Sequence, residues 1–344
     1  MDVPNGAANK RPPASVDNLS ESIQHAGERS SSAAICPLCK ADSYFAYTGR
    51  DLLFDRPQTY DYYQCRRCAA VFQNPMPGVD TIASFYPDDY RVYEREERLR
   101  QPSNLKKAVL RHRYGYRHLQ VPMMFRMLAP LASVLAYKNN VPYKPGGRVL
   151  DVGCANGRFL RTLQALGWQC EGVEFNQSAV EACRAQGLTV RHGDLESARF
   201  DNNCFDLITV RHVIEHLPDP DSFVCEASRI LRTGGQLLIA TPNSQALGRR
   251  WFGKYWFAND VPRHLILFSP SNLDMLAARH GLQHRRRRLN TSPKVILNSL
   301  DYKIGRRQQP SRKRRSRRLL AKLYVLLAKI LGTGDEIFVI YEKA

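Results

Sequence analysis

Arg148-Val-Leu-Asp-Val-Gly-Cys-Ala-Asn-Gly-Arg-Phe-Leu160, followed one βα unit later by Gly172-Val-Glu174, decides the fold of this chain. Val149, Leu150 and Val152 read as a buried strand, and Gly153 to Gly157 as a glycine-opened turn. A helix starts near Gly157. A second buried strand then ends on an acid, Glu174. This places a turn that lets backbone approach a ligand closely beside a carboxylate, at the carboxyl ends of two neighbouring parallel strands. Ligands of open α/β sheets, adenosine cofactors among them, bind in that crevice.

The flanking sequence continues the pattern. Val190-Arg-His-Gly-Asp194 reads as a third strand ending on Asp194, and Cys204-Phe-Asp-Leu-Ile-Thr-Val210 as a strand buried on both faces. Residues 222–232 carry Phe223, Ala227, Ile230 and Leu231 at helical spacing. They stop at the C-cap signal Thr233-Gly-Gly235, and Gln236 to Ala240 forms the next strand. Strands alternating with helices predict a doubly wound, mainly parallel sheet with right-handed crossovers.

The turn also selects among cofactors. A dinucleotide pyrophosphate needs G-x-G-x-x-G, the third glycine allowing helix and strand to pack closely. Aligned on Gly153, the second position is Ala155 and the third is Arg158, which argues against NAD and FAD. Gly153 and Gly157 form a looser turn suited to a cofactor without pyrophosphate. Glu174 is placed to accept both ribose hydroxyls, since a carboxylate is a two-oxygen acceptor. These residues point to S-adenosylmethionine (SAM), against the plainer reading of a structural βα turn without a ligand.

From Gly147 to about Gly281, with the terminal strand Glu336 to Tyr341, the chain resembles the class I SAM-dependent methyltransferases. The blocks that carry the resemblance are Val149–Gly157, Gly172–Glu174, Phe205-Asp206, Val213-Ile-Glu-His-Leu-Pro-Asp-Pro220, Leu231-Arg-Thr-Gly-Gly235 and Thr241-Pro-Asn243. It implies a Rossmann-like α/β fold with a mainly parallel seven-stranded sheet. It also implies a SAM site in which Asp151, Gly153 and Gly157 line the methionine side, with Cys154 and Ala155 between them. Glu174, followed by Phe175, would hold the ribose, Asp194 with Leu195 the adenine, and Arg211 would border the same crevice. Ala155 departs from the family, which usually has glycine there; its methyl narrows the turn.

Paired knuckles, Cys36-Pro-Leu-Cys39 and Cys65-Arg-Arg-Cys68, are a zinc signal, with 25 intervening residues, somewhat more than is common. Asp61–Gln64 and Ala70–Phe72 read as the strands of a ribbon. Four thiolates leave no open coordination position, so the site is read as structural. A redox or disulfide pair is the alternative. The other five of the nine cysteines (Cys154, Cys170, Cys183, Cys204, Cys225) read as small buried hydrophobes, and the odd total predicts a reducing compartment. The combination resembles methyltransferases with an amino-terminal zinc module, a group associated with sugar and polysaccharide modification.

The expected organisation is therefore a disordered tail over 1–33, a zinc ribbon over 34–86, a helical connector or lid over 87–143 and a methyltransferase domain over 144–344. The connector's stripe of Met123, Met124, Met127, Leu128, Leu131 and Leu135 is read as core. No apolar run reaches the roughly 18 residues of a spanning helix, and the start lacks the apolar segment of a secretory signal. The expected location is cytoplasmic, with peripheral attachment to the inner membrane face.

That attachment is read from the charge. Of the net +19, most lies in a basic insert over about 285–333: from Arg285 to Lys329 sixteen Lys and Arg face one acid, Asp301. Arg312-Lys-Arg-Arg-Ser-Arg-Arg318 runs into an amphipathic helix with Arg318, Lys322 and Lys329 on one narrow face and Leu319, Leu320, Leu323, Leu327, Ile330 and Leu331 on the other. Over 306–331 this reads as a surface for anionic membrane. Its rivals are packing of the apolar face on the sheet, and phosphate contacts to nucleic acid, which no reading motif accompanies.

Methyl transfer from a sulfonium needs positioning of the acceptor, and a base when the acceptor carries a proton. Candidates follow the fourth strand in Arg211-His-Val-Ile-Glu-His216: His212, Glu215 and His216. The stretch resembles the ubiquinone-biosynthesis O-methyltransferases, whose E-x-x-E-H pattern can hold a divalent metal; here His212 replaces the first acid. A structural role for His216 is the competing reading. Trp251–Trp256 and Asn259-Asp-Val-Pro-Arg-His264 form a second group, read either as an acceptor pocket with His264 as base or as a folded loop with its aromatics in the core. Thr241-Pro-Asn243 stands where amino-directed nucleic-acid methyltransferases carry a [DNS]-P-P-[FYW] tetrapeptide, and Asn243 in place of its second proline disfavours methylation of an exocyclic base nitrogen.

The expected function is O-methylation of a sugar, glycan or other small acceptor. The alternatives are a nucleic-acid or protein methyltransferase, and a SAM-binding interaction protein without turnover.

Overall fold

The computed structural model describes residues 34–86, 102–135, 140–305 and 314–344. The tail 1–33, residues 87–101 and 136–139 of the expected connector, and 306–313 of the basic insert lie outside them.

The amino-terminal module comprises β1 (Ala34–Ile35), β2 (Asp42–Arg50), β3 (Thr59–Cys65), β4 (Val71–Gln73) and α1 (Val79–Ser84). Its two knuckles are near copies. Cys36 N–H donates to Ala41 O and Cys65 N–H to Ala70 O, each at 2.9 Å, while Lys40 and Ala69 take φ of 58° and 57°. A left-handed residue after each C-x-x-C turns the chain back into a strand and leaves both thiols on one side.

Helices α2 (Asn104–Arg113) and α3 (Met123–Leu135) precede the α/β domain. Its first half is β5 (Arg148–Val152), α4 (Arg158–Gln164), β6 (Gln169–Glu174), α5 (Gln177–Ala185) and β7 (Thr189–His192). Then come β8 (Phe205–Arg211), α6 (Pro220–Ile230), β9 (Leu231–Pro242), α7 (Leu247–Phe252), β10 (Ile266–Leu267) and α8 (Pro270–Arg279). The chain ends with β11 (Leu282–Asn290), α9 (Pro293–Lys303), α10 (Arg314–Ile330) and β12 (Glu336–Lys343).

The large sheet has seven strands in the order β11-β12-β9-β8-β5-β6-β7. Strands β9, β8, β5, β6 and β7 pair in parallel, and β12 runs antiparallel between β11 and β9. This is the Rossmann-like sheet expected. All of Phe205 to Val210 is buried, as a strand covered on both faces requires. Side chains alternate: Leu150, Val152, Ile208, Val210 and Ile239 meet α6, α8 and the amino-terminal module, whereas Val149, Leu207 and Leu238 meet α2, α4 and Trp168.

The second sheet is antiparallel, in the order β1-β2-β3-β4-β10. Its last strand comes from the α/β domain: Phe72 pairs with Ile266 and Val71 with Leu267. Ser269 Oγ and Asn272 Nδ2 donate to Cys68 O, tying the second knuckle to the start of α8.

Five readings are corrected. No glycine C-cap ends α6. Leu231 is already extended (ψ 140°), and because Phe205 pairs with Leu231 and Leu207 with Gln236, residues 232–235 bulge from β9. The bulge brings Arg232 to Asp206, 2.7 Å away, whose carboxylate also takes Lys144 at 2.6 Å and Arg148 N–H at 2.9 Å.

The Met-Leu stripe of α3 is not core: Met123, Met124, Met127, Leu128 and Leu131 are exposed, Met127 by 75%. Small residues, Ala129 and Ser133, are buried instead. They let α3 approach α2 closely, Arg113 donating to Ser133 O. The described part of the connector lies across the sheet face, with Tyr116 accepting from Trp168 Nε1 at 3.1 Å, rather than as a lid over the strand ends.

The apolar face of α10 does not pack on the fold; Ala321, Tyr324 and Ala328 are its buried residues, and Tyr324 and Ala328 pack against Leu247 and Ile296. Finally, Cys225 is exposed and Cys170 half-buried.

Candidate active site

The β5–α4 turn has no room for side chains at its glycines. Gly153 and Gly157 both have φ +68°, and added Cβ atoms would lie 2.4 Å from Val213 and 2.3 Å from Leu188. Ala155 is also left-handed (φ 46°), at a cost of about 1–2 kcal/mol for an L-residue, which accounts for the usual glycine there. Its N–H donates to Glu174 Oε2 at 2.8 Å, and Asn176 N–H donates to Oε1 at 2.9 Å. Glu174 is thereby fixed at the end of β6, and each oxygen keeps a lone pair for a ribose hydroxyl. The cradle fits SAM.

Beneath the turn, burial raises the Asp151 pKa to about 6, against the pull of the Thr209 hydroxyl, which donates to it at 2.5 Å, and of Arg211. Cys154 is buried under the turn, whereas Phe175 is exposed beside Glu174. Asp194, two residues past β7, accepts from Ser197 N–H at 2.7 Å; this bonding with Ser197 lowers its pKa. Leu195 is buried in the core, so only its main chain can meet a ligand. Arg211 stacks over Phe159 at 4.4 Å.

Val213, which touches the turn at Gly153, leads into a 3-10 turn, Ile214–His216. Here the two sequence groups converge. The rings of His216 and His264 are 4.7 Å apart by centroid, and Glu215, His216 and His264 bring one ligand atom each within 4.8 Å of one another. His212 lies between two carboxylates, its Nδ1 3.3 Å from Glu215 Oε1 and its Nε2 3.1 Å from Glu336 Oε1.

The electrostatics assign separate states. Burial opposes charge on His212, but hydrogen bonds and attraction from Glu215 and Glu336 prevail and push its pKa up to about 10. The ring is 51% exposed, so solvent screens part of this pull. The upward shift disfavours His212 as the base. Glu215 is fully buried, which disfavours its charge; His212, His264 and His216 nevertheless lower its pKa to about 2, and Thr241 Oγ1 donates to it at 2.8 Å.

Burial, with repulsion from His264, lowers His216 to about 4, against Glu215 and Asp260. Its Nδ1 is 2.9 Å from Arg263 O, and that of His264 is 2.9 Å from Ala258 O. A carbonyl only accepts, so both Nδ1 atoms carry the proton and both Nε2 lone pairs stay free for a proton or a metal.

Several partners here were not visible in the sequence: Tyr86, whose hydroxyl is 2.9 Å from His216 Nδ1, Thr241, Glu336, and Asp51, which pairs with Arg263 behind His264. They come from positions far apart in the chain, and no local pattern marks them. The Trp251–Trp256 aromatics serve the loop. Trp256 is buried and donates to Asp335 at 3.2 Å, while Trp251 packs on Tyr324. Asn243 is buried, donating to Gly334 O at 2.8 Å.

At the knuckles, Cys36 and Cys68 Sγ are 3.6 Å apart, Cys39 and Cys65 Sγ 3.4 Å, and all four lie within 4.8 Å. Arg67 N–H and Cys68 N–H both point at Cys65 Sγ, as donors to a thiolate would.

Residues 124–286 match the family described as "Methyltransferase domain". This segment is a methyltransferase domain. With its sheet order and its Asp151–Gly157 turn it is of the class I, SAM-dependent type; the match runs from α3 into β11 and leaves out the cysteine module and the basic insert.

The methyltransferase domain is similar to the ubiquinone biosynthesis O-methyltransferase of Aromatoleum aromaticum, 32% identical over 120 residues, 33% of this chain and 49% of that protein. The enzyme of the same name from Xanthomonas oryzae is 32% identical over 127 residues, 34% of this chain and 53% of that protein. A probable S-adenosylmethionine-dependent methyltransferase of Mycolicibacterium smegmatis is 33% identical over 100 residues, 28% of this chain and 39% of that protein. The chain thus spans about half the length, or less, of these curated relatives.

Proposed function

We propose that the protein transfers a methyl group from SAM to a hydroxyl oxygen of a small acceptor, a sugar or glycan unit being the favoured class. The carrying observation is the position of Val213, in contact with the cofactor turn and two residues from Glu215, which sets the His216–His264 pair against the crevice that Glu174 fixes. The relatives named as ubiquinone biosynthesis O-methyltransferases support an oxygen acceptor.

SAM, when bound, supplies a methyl group on a sulfonium, already activated for displacement. Asp151 would line its methionine side, Glu174 would hold its ribose and Asp194 would meet its adenine. His216 Nε2 would take the acceptor's hydroxyl proton as the oxygen–methyl bond forms and the methyl–sulfur bond breaks, the neutral thioether leaving with the bonding electron pair, and buried Glu215 would offset the charge that develops on the imidazole. His264 is the alternative acceptor for that proton. His212, already a cation beside Glu215, competes with a divalent metal for the same carboxylate, so we favour a metal-free reaction. The four knuckle cysteines are proposed to hold a structural zinc ion.

Incubation of an extract with methyl-tritiated SAM, followed by separation into glycan, small-molecule, lipid, protein and nucleic-acid fractions, tests this reading. Label in the small-molecule or glycan fraction is expected. Label confined to nucleic acid or protein would move the reading to those acceptors, and SAM binding without transfer would make the chain a binding protein.

A further inference from the structure

We infer that the outward face of α10 is a docking surface for an anionic lipid bilayer. Ala321, Tyr324 and Ala328, spaced three and four apart, are the residues of α10 buried against the fold. With 3.6 residues per turn, Leu319, Leu323, Leu326 and Ile330 fall on the opposite side, and they are between 54% and 72% exposed. Arg318, Lys322 and Lys329, all exposed, form a flank between these faces. The apolar side chains therefore project away from the protein, a placement that water alone does not reward.

The charge identifies the occupant. Between Asp301 and Asp335 the sequence has no acid, while Arg312-Lys-Arg-Arg-Ser-Arg-Arg318 leads into the helix. The two bounding acids are engaged within the fold, Asp301 by Arg317 at 3.2 Å and Asp335 by Tyr324 at 2.9 Å. A second copy bound face to face would oppose one basic flank with another. Nucleic acid would satisfy the cations but leave the leucines in water. An anionic bilayer satisfies both, the side chains entering the headgroup boundary and the cations meeting phosphate.

Half-exposed Trp251, whose ring is 5.6 Å from that of Tyr324, adds an aromatic of the kind that favours this boundary. Among the described residues no helix is long and apolar enough to cross a membrane, so α10 would lie in the plane of the surface. Docking would be felt near the candidate site, because Glu336, six residues past the end of α10, is the partner of His212.

The test is co-sedimentation of the full chain with vesicles of phosphatidylcholine, alone or mixed with phosphatidylglycerol. The protein should pellet with the mixed vesicles and weaken at high salt. The double variant Leu323→Glu/Ile330→Glu, altered only at exposed positions, should keep its circular dichroism and bind roughly tenfold or more weakly, as should Arg318→Glu/Lys322→Glu. Equal pelleting by wild type and Leu323→Glu/Ile330→Glu would overturn the inference. So would no pelleting of the wild type, or a wild-type dimer that ignores vesicles and becomes monomeric in that variant.

Discussion

Asp51 and Arg263, 212 residues apart in the chain, form a fully buried ion pair, with Nη1 2.7 Å from Oδ2 and Nη2 3.2 Å from Oδ1. Arg263 also meets Asp260 at 2.7 Å and precedes His264 directly. The pair therefore fixes the amino-terminal module against the loop that carries half of the histidine cluster.

Asp51→Ala leaves a buried guanidinium with one carboxylate in place of two and frees the N–H groups of Leu53 and Phe54 that Asp51 accepts. The expected loss is about 3–5 kcal/mol of stability, read from the urea midpoint. A variant within 1 kcal/mol of wild type (a small effect on the same scale) would show that the module is not held through this contact.

Glu174→Ala removes the acceptor proposed for both ribose hydroxyls, and the acceptor of the Ala155 and Asn176 N–H groups. Each charge-assisted bond is worth about 1.5–3 kcal/mol, so calorimetry should show SAM affinity falling roughly a hundredfold. Unchanged affinity would sink the cofactor assignment. Ala155→Gly at the same turn relieves about 1–2 kcal/mol of left-handed strain against about 0.4–1 kcal/mol of added freedom in the unfolded chain, so the urea midpoint should rise; a lower midpoint would show that Ala155 is not strained.

His216→Asn should lower kcat by roughly a hundredfold or more while SAM affinity holds. Because the native pKa of His216 is about 4, the acid limb of the rate profile should fall near that value instead of near 6.5. A limb at 6.5 would remove His216 from the role of base.

The two histidines also act on stability with opposite signs. His212, raised to about 10 from 6.5, binds more protons folded than unfolded. Its contribution is complete below pH 6.5 and is lost as pH rises through 10. His216, lowered to about 4, binds fewer when folded, so stability falls as pH drops from 6.5 towards 4. Thermal melting across this range should peak near neutrality. His212→Gln should flatten the alkaline side and His216→Asn the acid side; parallel curves for all three proteins would refute both assignments.

Zinc content measured on the whole chain should be one ion per molecule, and close to none in Cys65→Ser/Cys68→Ser. Since β4 pairs with β10 and Tyr62 donates to His264 O at 3.0 Å, loss of the ion should lower stability by on the order of 4 kcal/mol and reduce kcat without changing SAM affinity. Wild-type turnover in that variant would uncouple the ribbon from the site.

The parallel sheet, the cofactor turn and the two cysteine knuckles were determined by sequence alone. Each is a short-range matter: continuous apolar runs between helical segments, a positive φ that demands glycine, and two thiols one turn apart. The apolar face of α3 was misread for a physical reason. Hydrophobicity marks which side chains would gain from burial, but close approach of α3 and α10 is set by Ala129, Ser133, Ala321 and Ala328, so the large apolar residues were left outward. Tertiary structure alone decided that His216 and His264 belong to one cluster. It also decided that His212 sits between Glu215 and Glu336, which raise its pKa, and that the ribbon continues into Ile266–Leu267. Those facts depend on contacts between segments brought together by packing, and the charge state of a buried imidazole is set by neighbours that the local sequence does not name.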